Sequence, residues 1–205
     1  MRYLLISLVI LSVSCGSYPK KQQFVLADNH ETLSIPYFSN PEIDYIYKAN
    51  IDVLNKHFGG LLIIKKTSES SHRIAFTTEM GNKIFDFTFK GDVFTVNFIP
   101  EELNKKMLLR VLEQDFRTLI CEQPKITKAY THQRNTSVLE GAINNKEHYF
   151  FLNTEGHLEK IVFSKKGKAA ITYFYSKINS DIAQEIKIEH QSINMNITLK
   201  HLNSQ

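Results

Sequence analysis

The chain has 205 residues, of which 42% are hydrophobic and 22% are charged, and its formal net charge is +4 at neutral pH. That length is enough for one domain with a sizeable core. The lysines and arginines occur in dispersed runs of two or three, which excludes the dense basic surface of a typical nucleic-acid-binding protein.

Residues 1–14 have the pattern of a secretion signal. Arg2 provides a positive start, residues 3–13 form an apolar run broken only by two serines, and Ser14 precedes Cys15. The run is too short to cross a bilayer, which takes about 20 apolar residues. The pattern resembles a bacterial lipoprotein signal, so we predict that Cys15 is acylated and is the first residue of the mature chain. An ordinary signal peptide cut near Ser14 and an uncleaved anchor are the alternatives.

Residues 15–42 are predicted to be the lipid anchor and a tether, because turn and linker residues separate their short apolar pieces. The residues directly after Cys15 lack the Asp that resembles an inner-membrane retention signal. We therefore expect the protein at the periplasmic face of the outer membrane. The mature chain keeps 24 basic and 21 acidic residues, a formal charge of +3. Its short basic runs at 19–21, 63–66, 103–106 and 164–168 can help an anchored domain approach anionic lipid.

Five strand patterns follow, from about residue 45 to residue 98. The clearest is the stretch IFDFTF, in which Phe85 and Phe87 alternate with polar residues and so share one face of a strand. Gly81-Asn82 and Gly91-Asp92 are typical of two-residue hairpin turns. The pair Gly59-Gly60 predicts a bulge or a sharp bend where the sheet curls.

The period then changes to that of a helix. Between residues 101 and 119, apolar residues recur three, four and one apart, and Pro100 with two following acidic residues suits a helix start. Seven further strand patterns run to residue 199. We predict a mainly β (α+β) fold, a single antiparallel meander of about 10–12 strands that forms one domain over residues 43–205 and curls around the helix.

The order of these elements resembles the bacterial lipoprotein-carrier family, the Lol-type chaperone and its outer-membrane receptor. The match covers residues 43–200 in outline and is best from FGGLLIIKK through the helix that ends in FRTL, residues 58–119. The chain looks like a Bacteroidetes-like uncharacterised lipoprotein of that kind. The resemblance implies an unclosed half-barrel with a helix on its concave side and an apolar cavity for acyl chains. The loops at 67–71 and 90–92 lack the exposed apolar tip with which the receptor passes cargo to the membrane.

We predict that aromatic residues of the inner sheet face line this cavity and that the helix closes it. The predicted lining residues are Tyr45, Tyr47, Phe76, Phe85, Phe87, Phe94 and Phe98, and the closing residues are Leu108, Leu112 and Phe116. A cavity of several hundred Å³ would favour a carrier of lipid or acylated protein, with helix 101–119 as its gate. A filled core would favour a lipid-anchored interaction or scaffold subunit of an envelope complex.

The sequence carries no recognisable catalytic signature. The eight histidines are scattered without metal-binding spacing, and most are expected at the surface; no nucleophile or phosphate-binding motif occurs. The acids Glu79, Asp86, Glu113 and Asp115 are too dispersed in sequence to be predicted as a catalytic pair. Cys121 is interpreted as a small buried hydrophobe, with a nucleophile or a disulfide to Cys15 as alternatives. The sequence therefore predicts a non-catalytic protein without metal or cofactor and without a nucleic-acid partner.

Overall fold

The computed structural model describes residues 16–27, 32–53, 55–132 and 136–202. The predicted signal sequence and Cys15 lie outside these ranges. Two helices are present in the described ranges, α1 (Tyr18–Lys21) and α2 (Lys106–Leu119). The strands are β1 (Val25–Ala27), β2 (Asp44–Val53), β3 (Lys56–Ser68), β4 (Ser71–Thr77), β5 (Lys83–Lys90), β6 (Val93–Phe98), β7 (Lys125–His132), β8 (Thr136–Ile143), β9 (Lys146–Leu152), β10 (Leu158–Lys165), β11 (Lys168–Asn179), β12 (Ile182–His190) and β13 (Met195–His201). In this part of the chain, neither helix is long and apolar enough to cross a membrane.

All the strands belong to one antiparallel sheet, in the order β1-β7-β8-β9-β10-β11-β12-β13-β2-β3-β4-β5-β6. Two hairpin meanders, β2 to β6 and β7 to β13, are joined in mid-sheet where β13 pairs with β2 and Ile197 lies opposite Ile51. The sheet is not closed, since β1 and β6 remain as edges. The prediction of a curled, unclosed half-barrel with a helix is confirmed, with one more strand than expected.

The core lies between the concave face of the sheet and α2. Alternate residues of each strand point inward, as the two-residue period of a strand requires. Phe116 of α2 is fully buried and packs on the rings of Phe85, at 5.6 Å between centroids, and Phe87, at 6.4 Å. Burial of such large apolar side chains is the main favourable term in folding.

Two local predictions differ from the structure. The helix begins at Lys106 rather than at residue 101, because the amides of Leu103 and Asn104 donate to the carbonyl of Pro100 and close a turn before Lys105 adopts an extended conformation. The pairing of β2 with β3 continues without a register shift through Gly59 and Gly60. A Cβ at Gly60 would collide with the carbonyl oxygen of Thr77, so a close approach of backbone requires this glycine.

Much of the segment that we predicted as a tether is packed onto the sheet. Ile35, Tyr37 and Phe38 are buried in the main core, and the Tyr37 hydroxyl donates to the carbonyl of Leu158 at 2.6 Å. The stretch around these residues is too short and irregular to show the period of a helix or a strand. The sequence pattern therefore did not predict that these side chains are buried. The packed part of the chain thus includes residues before 43.

Residues 16–27 cross the opposite, convex face of the sheet. Tyr18 and Phe24 pack there on a second apolar group, which we call the convex cluster. Its members from the sheet are Tyr130, Val138, Tyr149, Phe151 and Val162. The strand β1 continues this contact by pairing with β7 at the sheet edge, with Val25 opposite Thr131.

Candidate functional site

The predicted cavity residues divide by burial. Seven lie in the interior with at most 3% exposure: Tyr45, Tyr47, Phe76, Phe85, Phe87, Leu112 and Phe116. Phe94 and Leu108 are half-buried against the main core. Phe98 is 43% exposed. Whether these side chains hold a ligand stays a prediction.

Phe98 differs from its predicted place because of a β-bulge. The register of β5 with β6 shifts between Asp86 and Phe87, so Phe98 pairs with Asp86 on the convex face while Val96 pairs with Phe87 on the concave face. The ring of Phe98 lies 5.9 Å from the ammonium of Lys83. A bulge of one residue reverses the face of every later residue of a strand, and simple alternation cannot reveal it.

A narrow apolar cleft lies between the first half of α2 and the rim of the sheet. Its volume is about 20 Å³, close to the space for a single water molecule and far below that of an ordinary ligand site. Every lining residue is apolar: Ile51, Val53, Phe58, Phe76, Ile84, Phe85, Ile99, Leu103, Leu108 and Leu112. Four of the predicted cavity residues therefore meet in one cleft, and that cleft is too small to hold a ligand as it stands.

The helix over this cleft is held unevenly. In its second half, Asp115, Phe116, Thr118 and Leu119 are all buried. In its first half, Met107 is 54% exposed and Leu108 is only half-buried. The helix start has no side-chain cap and no acidic residue in its first turn, so its free N–H groups lack two usual sources of stabilisation. The first half of α2 is thus the weaker half.

Arg117 fastens the second half of α2 to the β5–β6 turn. Its guanidinium donates to the carbonyls of Gly91, at 2.7 Å, and Asp92, at 3.1 Å, and lies over the ring of Phe89 at 5.4 Å. A fork of donors on two carbonyls fixes the helix in one orientation. No sequence motif marked this arginine.

A buried polar group fastens the same half of α2 to the other meander. One carboxylate oxygen of Asp115 lies 3.1 Å from Nε2 of His190 and accepts from the Tyr173 hydroxyl at 3.2 Å. The other oxygen, Oδ2, has no partner in the described structure. Burial raises the pKa of Asp115 despite the opposing effect of His190. Burial alone would lower the pKa of His190, but the hydrogen bond and charge of Asp115 outweigh it, so this pKa is raised.

Most histidines were expected at the surface, but His148 and His72 are buried. The ring of His148 is buried, with Nε2 at 3.3 Å from the hydroxyl of Thr118 and Nδ1 at 2.8 Å from the carbonyl of Lys146. Burial lowers the pKa of His148 to about 4. His72 is also buried, with Nε2 at 3.0 Å from the carbonyl of Phe38. The contacts with Thr118 and Phe38 join residues 30 and 34 positions apart, so spacing gave no sign of them.

A larger cavity of about 620 Å³ lies at the other end of α2, and its wall mixes charged side chains with apolar ones such as Phe89 and Ile120. None of the predicted cavity residues lines it. Its wall carries the ion pair of Lys66 with Glu122, at 2.7 Å, and the guanidinium of Arg117. Cys121 lies on the same wall, half-buried, and burial raises the pKa of its thiol to about 12. A thiol with such a pKa is a poor nucleophile at neutral pH.

In the described ranges of the chain, no cluster of three or more histidine, cysteine, aspartate or glutamate side chains could hold a metal ion. The apolar cleft, whose cover is weakly held over the first half of α2, is the candidate site for an apolar ligand.

Comparison with known proteins gives a likeness of fold. No protein-family model matches the chain, and no curated protein matches it. Among solved structures, it is similar to a LolA superfamily protein from Nitrosomonas europaea, with a TM-score of 0.55 and 12% identity over 82% of this chain and 88% of that chain. A domain described as an outer membrane lipoprotein-sorting protein from Vibrio parahaemolyticus gives a TM-score of 0.48 and 13% identity over 78% and 83% of the two chains. The first likeness shows that the two proteins share a fold.

Proposed function

We propose that this chain is a lipid-anchored envelope protein that carries an acyl chain, of a lipid or of an acylated protein, beneath the first half of α2. The observation that carries the proposal is the wholly apolar cleft under a helix that is firmly held only at its far end. Binding and release need no catalysis. The polar cavity at the other end of α2 suits an acyl chain poorly, because charged side chains line it.

The energetics favour an acyl ligand over a polar one. Each methylene moved from water into apolar surroundings contributes about 0.8 kcal/mol, so ten of them contribute about 8 kcal/mol before any cost of opening. Opening requires residues 99–111 to move away from the sheet. Arg117 and Asp115 keep the second half of the helix in place meanwhile, so that the first half acts as a lid.

The fold is consistent with this proposal. One solved structure that shares it is described as a LolA superfamily protein, and the sequence itself resembles the lipoprotein-carrier family. We place the protein in the cell envelope, at the periplasmic face of the outer membrane, held there by an acylated Cys15.

The first test is mass analysis of what co-purifies with the mature chain. The chain from residue 15 carries Cys15→Ser, which removes its own lipid, and is exported to a bacterial periplasm behind a cleavable signal. We expect an acyl species in fixed ratio to protein. Leu108→Asp places a charge in the cleft and should abolish that species, whereas Met107→Asp, on the exposed side of the same helix turn, should keep it.

Thermal melting shows whether both variants remain folded. Equal loss of lipid in the Leu108 and Met107 variants would show that the cleft is not the binding site. A protein free of lipid, which also takes up no fatty acid when this is offered, would overturn the carrier proposal.

A second candidate function is a lipid-anchored interaction subunit, and the exposed edge strand β6 favours it. Val93 is 62% exposed and Phe98 43% exposed, and an apolar edge strand is a ready surface for strand pairing with a partner. An interaction subunit needs no ligand-sized cavity in its core. The cleft of about 20 Å³ meets that condition as it stands. If no lipid binds, cross-linking from Val93→Cys in the envelope would test it.

A further inference from the structure

Two basic runs that are far apart in sequence meet in space. A Cβ at Gly167, in the β10–β11 turn, would collide with the carbonyl oxygen of Gly16 and lie 3.5 Å from the ammonium of Lys21. The turn itself sets Lys165 opposite Lys168. The first described residues of the chain therefore run directly against this turn.

The surface where the two runs meet is exposed to solvent and carries a concentrated positive charge. Five lysines, which we call the basic patch, are all exposed: Lys20, Lys21, Lys165, Lys166 and Lys168. Among the residues that the structure describes, none of the five takes part in an ion pair, whereas Lys48, Lys65 and Lys128 elsewhere on the surface do. Five ammonium groups without counter-charges repel one another unless an anionic surface lies close by.

The patch also lies where the chain would leave the membrane. Gly16 is one residue from Cys15, a Cα distance of about 3.8 Å. Tyr18 and Pro19 are buried in α1, so only a few residues separate Cys15 from the packed part of the domain. An acyl chain on Cys15 would therefore enter the membrane close to the basic patch. The acylated Cys15 of the proposed function and the adjacent basic patch would meet the same membrane surface, where each adds to the binding.

We propose that the basic patch lies on an anionic phospholipid bilayer, so that the β10–β11 turn and α1 face the membrane. This inference rests on the anchor in the proposed function and is independent of any cargo in the cleft. Each lysine near an anionic surface strengthens binding about fivefold, an effect that salt screens. The unlipidated domain should therefore bind such vesicles weakly but measurably at low ionic strength.

Vesicle flotation tests the orientation with the chain from residue 15 carrying Cys15→Ser. Vesicles of phosphatidylcholine with phosphatidylglycerol should bind it at low salt and release it at high salt, and vesicles of phosphatidylcholine alone should not bind it. The triple variant Lys21→Gln, Lys165→Gln, Lys168→Gln should weaken binding about 100-fold. The matched control Lys56→Gln, Lys90→Gln, Lys200→Gln makes the same change in net charge at other exposed positions and should change binding by less than about fivefold.

Thermal melting confirms that both triple variants are folded. Equal weakening in the two would mean that net charge alone drives binding, and would overturn the proposed orientation. Absence of binding to the anionic vesicles at low salt would overturn the basic patch as a membrane contact. Either result would leave the lipid found by mass analysis unaffected, so failure of this inference is distinct from failure of the carrier proposal.

Discussion

The Asp115–His190 pair shares one proton in the interior. Nδ1 of His190 lies 3.0 Å from the carbonyl of Met195, which can only accept, so Nδ1 must carry a hydrogen. Nε2 then either donates to an ionised Asp115 or accepts from a protonated one. In both arrangements a proton lies between the two side chains, held by the hydrogen bond that also raises the pKa of His190.

The pair should make stability depend on pH. A raised pKa means that the folded chain binds the proton more tightly, so the stabilisation is complete below the unfolded histidine value of about 6.5. It is lost as pH rises through the folded pKa of His190. The double variant Asp115→Asn, His190→Gln lacks this proton, so the wild-type advantage in melting temperature should be larger at pH 6 than at pH 8.5.

Calorimetry over this pH range measures the difference between the two proteins, which largely cancels the titration of His72 and His148. A pKa difference of one unit corresponds to about 1.4 kcal/mol, or about 3 °C in a domain of this size. Parallel curves for wild type and double variant would contradict the shared proton.

At the scale of the element, the two halves of α2, a helix of 14 residues, are held in place to different degrees. Its second half touches both meanders, through Arg117 on one side and Asp115 on the other. Its first half makes apolar contacts, with Leu108 in the apolar cleft and Leu109 and Val111 against the main core. Local opening draws on segments with few buried contacts, so the helix should open from its start.

Hydrogen exchange should therefore differ along α2. Amides of residues 109–111 should exchange at least tenfold faster than amides of residues 116–119, because opening the first half breaks no buried polar contact. Mass spectrometry with overlapping peptides can resolve the two halves. Added fatty acid should slow only the first half, and uniform exchange along the helix would contradict the lid.

At the scale of the whole molecule, the sheet has an apolar layer on each face. The concave face carries the main core and α2, and the convex face carries Tyr18 and Phe24 over β7 to β10. The ring of Phe24 lies between 4.9 and 6.1 Å from those of His132, Tyr130, Phe151 and Tyr149. The segment after Cys15 is thus part of the fold.

Phe24→Ala should destabilise the domain by about 2 kcal/mol, somewhat less than truncation of a fully buried phenylalanine. Urea denaturation measures the change in the free energy of unfolding. Val25→Ala is the neighbouring control, because Val25 is 67% exposed, and it should cost less than about 0.5 kcal/mol. A Phe24 variant as stable as this control would show that the segment is a loose tether after all.

Periodic elements were predictable from sequence and single contacts were not. The alternation of Phe85 and Phe87 and the glycine turns at Gly81 and Gly91 predicted the hairpins, because a half-buried strand imposes a two-residue period. Residues 16–27 form a four-residue helix and a three-residue strand, too short to show any period. The bulge before Phe98 and the contact of Asp115 with His190 depend on tertiary packing, which leaves no local pattern.

The joint between β13 and β2 sets an order of events during folding. Each meander can form from neighbouring hairpins, since consecutive strands pair. The two halves remain separate until residues 195–201 insert beside β2. Because long-range pairing of this kind is slow, the edge of β2 that faces β13 stays unpaired until this step. An unpaired strand edge is a template for aggregation, so a chaperone that covered β2 would protect the folding chain until β13 has paired.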